Sequence, residues 1–252
     1  MCLLILSEEN SNEGKNQEVA NVNSKLIRKI AIDFGMTVLL MLLMAFELIG
    51  RAAHEWIGMG MFALFIIHHA LNWNWSKNLF HGKYTVFRLL QTISAASVLI
   101  LMIGSFVSSI LISREIFSFL PITGGRVAGR SLHMICAYWG LLALAFHLGI
   151  HWNTMMRIAG RICSKPSRLR SLILKITGVG IAGYGIYAFI QRDFPEYMFL
   201  QTPFVFFDFD EPVIFFFGDY IAIMGLMLWI GHYFSKLLMW LIKRRCDRSN
   251  HI

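Results

Sequence analysis

The stretch HEWIGMGMFALFIIHHALNWNW, residues 54–75, decides the fold. It is apolar for the length of a membrane helix, yet it opens on His54 and carries His68 near its end. A second stretch, HMICAYWGLLALAFHLGIHWN at 133–153, repeats the pattern with His133 and His147. Both pairs are separated by fourteen residues. Fourteen residues of helix rise about 21 Å and return to within about 40° of the starting face. In a supercoiled bundle the same interval is two heptads, which keeps both side chains on one seam. An offset of 79 residues superposes His54 on His133, His68 on His147, Trp73 on Trp152 and Asn74 on Asn153. The two helices are quasi-equivalent partners.

The surrounding chain has the composition of a lipid-embedded protein. Of its 252 residues 56% are hydrophobic and only 15% charged, less charge than a soluble domain carries. The apolar residues fall in runs of the length read as membrane spans. Six such runs, at 27–49, 54–73, 85–112, 132–152, 172–190 and 213–241, predict an all-α membrane protein with six transmembrane helices. Residues 1–24 read as a flexible cytoplasmic tail and 25–153 as a four-helix core. Residues 154–252 add two further helices, joined by an acidic, aromatic outer loop at 191–212.

Basic residues set the orientation. Lys25, Arg28 and Lys29, then Lys77, Lys83 and Arg88, and the clusters within 157–170 and 236–248 share one side. Both termini are therefore expected in the cytoplasm of a multi-pass cell-membrane protein. The net charge of +8 suits anionic lipid headgroups and calls for no nucleic acid. Cys2, Cys136, Cys163 and Cys246 form no C-x-x-C or C-x-x-C-H motif, so neither covalent haem attachment nor a zinc ribbon is expected. None falls on the outer side, and no structural disulfide is expected.

Ionisable residues inside a membrane are expensive, and each is a functional hypothesis by default. A lone histidine is more often a helix-to-helix hydrogen-bonding group. Four in matched register on two parallel helices favour metal ligation. They predict two non-covalent haem b groups at two depths, His54 with His133 and His68 with His147, inside the four-helix core. His69 and His151 are alternates for the second pair, since His151 lies one turn beyond His147. His81 and His251 read as solvated, and His232 as a hydrogen-bonding residue of the sixth span.

A flat macrocycle needs small residues where its edge meets backbone, which singles out Gly58 and Gly140; ordinary small-residue helix packing is an equal reading. Its propionates need cations near the surface. Arg126 and Arg130 in the run GGRVAGR (124–130) precede His133, and Arg51 precedes His54. Arg51 could instead pair with Glu47 at i,i+4.

At these residues the chain resembles di-haem b-type cytochromes, and most closely the small flavinylation-associated cytochrome family. Shared features are an early Asp in the first span (Asp33), a histidine opening the second, and a later histidine followed by Asn and Trp (His68, Asn72, Trp73). The resemblance covers about residues 30–153. It implies transmembrane electron transfer from a quinone pool or cytoplasmic reductase to an extracytoplasmic flavoprotein. The chain would then be an electron-transfer subunit of an oxidoreductase system rather than a self-contained enzyme. The outer loop at 191–212 would be a docking face for that partner, unless it is a simple interfacial aromatic belt.

Two other classes compete. A membrane di-iron oxygenase would use HLGIH (147–151) and the His68–His69 doublet as histidine boxes, but His54 and His133 lie about 21 Å away. A non-redox transporter or structural subunit would place charges at mid-membrane beside broken helices. Asp33, Glu47 and Asp219 instead lie near span ends, and only the glycine-rich run TGVGIAGYG (177–185) hints at a break.

Overall fold

A computed structural model describes residues 26–79, 81, 84–122, 124–162 and 168–249. The expected tail at 1–24 lies outside the described residues, as do Lys83, Cys163, Lys165 and His251. All regular structure among the described residues is helical. In chain order the helices are α1 (residues 26–44), α2 (Phe46–Leu71), α3 (Trp73–Lys77), α4 (Val86–Ile112), α5 (Arg126–Ile162), α6 (Arg168–Gln191), α7 (Phe194–Met198) and α8 (Val213–Ser249).

Four of them, α4, α5, α6 and α8, are long and apolar enough to cross a membrane. Their outward faces are apolar: Ile93, Ile100, Ile103 and Val107 on α4, and Leu172, Ile176, Val179, Ile186 and Ile190 on α6, are all exposed. Such a surface suits lipid and would be unfavourable in water. The buried interior centres on Leu141, Ala145, Phe194 and Ile223, each fully enclosed.

The first two expected spans form a helical hairpin. α1 continues through a turn at Ala45 to Ile49, and Gly50 then reverses the chain with φ 75° and ψ 167°. Only glycine adopts that conformation without strain. The hairpin closes on small residues: Gly35 faces Leu64, Gly60 faces Leu39 and Gly58 faces Leu43. This register makes the two arms antiparallel.

Glycines also set the helix crossings on the far side. A Cβ on Gly149 of α5 would strike the Leu228 carbonyl of α8, and one on Gly231 of α8 would strike the Phe146 carbonyl of α5. The backbones of α5 and α8 therefore touch, as small-residue membrane interfaces allow. Gly185 of α6 packs in the same way on the Ala222 carbonyl of α8. The glycine-rich run at 177–185 stays helical throughout; close packing, not a break, is what its last glycine serves.

The connection at 191–212 is divided: Phe199, Phe204, Phe206 and Phe209 are exposed, as an aromatic belt would have them, while its first turn packs inward. Phe194, Tyr197 and Met198 are buried, and the Trp139 indole N–H donates to the Met198 carbonyl. Two of its charges are spent internally. Arg192 donates to Glu211 at 2.6 Å and to Asp219 of α8 at 2.8 Å, and Asp219 also accepts from the Tyr184 hydroxyl. Burial alone would lower the basicity of Arg192, but these two carboxylates raise it above its ordinary value. Asp208 and Asp210 stay exposed.

Candidate functional site

The register between helices brings the histidines together. α4 runs antiparallel to α5, since Ser94 meets His147 while Ser108 meets His133. It also runs antiparallel to α2, since Phe62 stacks on Phe106 at 3.7 Å and Glu55 meets Ser113. α2 and α5 are therefore parallel, as two facing histidine pairs require.

The rings of His54 and His133 lie 6.0 Å apart between centroids, with planes inclined at 69°. Two imidazoles on opposite faces of one metal would stand roughly 6 Å apart, given metal–nitrogen bonds of about 2.0–2.1 Å. The separation fits two axial ligands. Both hydrogen bonds of His133 run through Nδ1, to the Ser105 carbonyl at 3.1 Å and the Ser108 hydroxyl at 3.2 Å. Its Nε2 has no hydrogen-bond partner among the described residues. Nδ1 of His54 is buried beside the Leu43 backbone without a hydrogen bond of good geometry.

Between the two rings opens a cavity of about 490 Å³, walled by apolar side chains such as Leu40, Met61, Phe62, Met102 and Phe106. That volume lies in the range of cofactor pockets. α2 approaches α4 only sparsely, and this gap is what makes the cavity. Gly58, Gly140, Arg51 and Arg130 are among the residues that line it. Arg126 does not: it is exposed and sits one turn before Arg130, farther from His133. Arg51 and Glu47 form no ion pair among the described residues, because the chain reversal at Gly50 removes the i,i+4 geometry between them. Pro203, Phe204, Val205 and Phe207 of the 191–212 connection close one side. That connection is part of the site wall, a role its acidic, aromatic composition did not announce.

The second pair is fixed from outside as well. Nδ1 of His68 lies 2.6 Å from the Asp33 carboxylate of α1, and Nδ1 of His147 lies 2.7 Å from the Ser94 hydroxyl. His68, His147, His151 and Asp33 lie close enough to interact electrostatically. Asn72 donates to the His68 carbonyl and accepts from Lys29. Of the alternates, the His151 ring lies 4.8 Å from that of His147, inclined at 54°, and His69 packs edge-on against Phe65. Among the described residues neither receives a hydrogen bond of the kind that holds Nδ1 of His68 and His147.

His133 and His147 thus keep Nε2 clear of any hydrogen bond among the described residues while a neighbour holds Nδ1; Nε2 of His68 lies 3.4 Å from the Asn72 amide nitrogen. In metal-ligating histidines a partner on the other ring nitrogen fixes tautomer and orientation in this way. The residues fit a bis-histidine haem on this ground and on the 6.0 Å separation. Among the described residues no group of three or more His, Cys, Asp or Glu converges, as a di-iron site would need.

Ser94 and Ser108, the partners of the His147 and His133 rings, are also fourteen residues apart, and both are buried. Nδ1 of His232 is buried without a hydrogen-bond partner among the described residues, at the point where Gly149 brings α5 against the α8 backbone. Cys136 is a free, buried thiol lying against Gly104.

The fold and site define a helical membrane protein in which one histidine pair, His54 and His133, meets at the wall of an apolar cavity. Comparison with protein-family models, curated proteins and solved structures found no match.

Proposed function

We propose that the chain is a six-span membrane cytochrome that carries electrons across the bilayer through two b-type haems, each held by one histidine of α2 and one of α5. The 6.0 Å separation of the His54 and His133 rings across an apolar cavity carries this reading. The α1–α2 hairpin supplies the first two crossings, since each arm reaches the roughly 20 residues a span needs. With both termini cytoplasmic, His54/His133 is the outer pair and His68/His147 the inner one. His54 with His133 and His68 with His147 would hold the haems, which would supply one-electron chemistry.

The protein's own part is positional and electrostatic. Ser108, Ser94 and Asp33 orient His133, His147 and His68. Arg51, Arg114 and Arg130 line the outer cavity and form no ion pair among the described residues. They are free to meet propionates. The 191–212 connection keeps water from the outer pair. In keeping with the resemblance to flavinylation-associated cytochromes, a quinol or cytoplasmic reductase feeds the inner pair and an extracytoplasmic flavoprotein draws from the outer one.

Purified protein in sealed vesicles tests the direction and the span together. Haem reduced by a donor trapped inside should be reoxidised by a membrane-impermeant acceptor added outside. Reoxidation that occurs only after the vesicles are permeabilised would refute transfer across the membrane.

A further inference from the structure

Glu55 immediately follows His54 but faces away from α1, toward the end of α4. Its carboxylate accepts four hydrogen bonds there, from the Ser113 hydroxyl at 2.6 Å and from the backbone N–H groups of Arg114, Glu115 and Ile116 at 2.9, 3.1 and 3.0 Å. Successive N–H groups in a turn form an anion-binding concavity. Every one of these partners donates, which is what an ionised, acceptor-only carboxylate can use. Glu55 makes no ion pair among the described residues although it lines the same cavity as Arg51, Arg114 and Arg130. Backbone amides satisfy it, and the guanidinium groups remain available to an anionic ligand.

The residues it ties together are telling. α2 carries His54, and α4 carries Ser105 and Ser108, which hold His133. At this level α2 has few other approaches to α4. One carboxylate therefore bridges the two sides of the gap where both ligands meet.

We propose that Glu55 is the positioning residue of the His54/His133 pair, fixing the separation of α2 from α4 and placing a permanent negative charge on the cavity wall. The proposal rests on the haem reading above. Reduction adds an electron to the site, so a fixed anion beside it disfavours the reduced form and holds the potential down. Removing the charge raises the potential; removing the bridge also loosens the ligand pair.

The test is a redox titration of the purified, haem-loaded protein with E55Q and E55A, together with haem-to-protein ratios. E55Q, which keeps an acceptor oxygen, should retain both haems and raise the midpoint of the outer one alone. E55A should in addition lower retention of the outer haem. Should E55A fail to insert, Ser113→Ala removes one strand of the bridge without touching the charge; it should loosen outer-haem retention while leaving the outer midpoint closer to wild type than E55Q does. Unchanged midpoints in E55Q would overturn the proposal alone. Haem-free wild-type protein would overturn the reading beneath it as well.

Discussion

The hydroxyl of Ser108 lies 3.2 Å from Nδ1 of His133, and fourteen residues earlier on α4 Ser94 repeats the contact with His147 at 2.7 Å. The histidine repeat of α5 is thus mirrored by a serine repeat on its neighbour. A hydrogen bond of this type contributes about 0.5–1.5 kcal/mol, and its larger effect is to orient the ring. Ser108→Ala should therefore perturb the electron paramagnetic resonance signal of the outer haem and leave the inner one unchanged; Ser94→Ala should do the reverse. A single signal altered by both variants would argue against two separate sites.

Asp33 acts on His68 through a carboxylate–histidine contact of 2.6 Å. Outer-shell partners of this kind typically account for 10–100-fold in metal affinity. Asp33→Asn should loosen the inner haem by about that factor and raise its midpoint, because a negative charge is lost. Haem retention on dilution, compared with Asp33→Glu, measures it.

How much of this was legible follows from what each residue type can signal. Intramembrane histidines are rare, and their shared spacing carried the pairing. Serines are common in membrane helices and often bond a carbonyl of their own helix, as Ser97 does to Ile93, so Ser94 and Ser108 gave no signal alone. Their fourteen-residue spacing, compared with that of the histidines, would have found them. Arg126 and Arg130 are indistinguishable in the sequence; both are exposed, and one helical turn of rise leaves only Arg130 on the cavity wall. The 191–212 segment reads as a surface because it is acidic, yet Arg192 pairs inward with Glu211 and with Asp219 of α8, beside the buried Phe194 and Tyr197.

That pairing predicts a stability effect. The Arg192 and Asp219 side chains are 18% and 9% exposed. Breaking a buried pair by removing one partner costs about 3–5 kcal/mol, because a charge is left uncompensated. Arg192→Ala should lower the thermal midpoint markedly, and Arg192→Ala combined with Asp219→Asn should recover part of the loss. A double variant no more stable than the single one would show that the pair is not coupled.

Backbone contact between α5 and α8 predicts a steric effect. Gly231→Ala would drive a Cβ into the Phe146 carbonyl, whereas Gly180→Ala would meet nothing within 4 Å. The first should destabilise by about 1–3 kcal/mol, as overpacking does, and the second should be neutral. Detergent thermal melts of the two variants, side by side, check this.

The central claim is that paired histidines hold two haems. The most direct measurement is haem quantified against purified protein, with a reduced-minus-oxidised spectrum, for the wild type and His133→Ala. Two low-spin protohaems per chain, falling to one when His133 is replaced, is the predicted result. A wild-type protein that takes up no haem when haem is abundant, or a His133→Ala protein that keeps both, would contradict it.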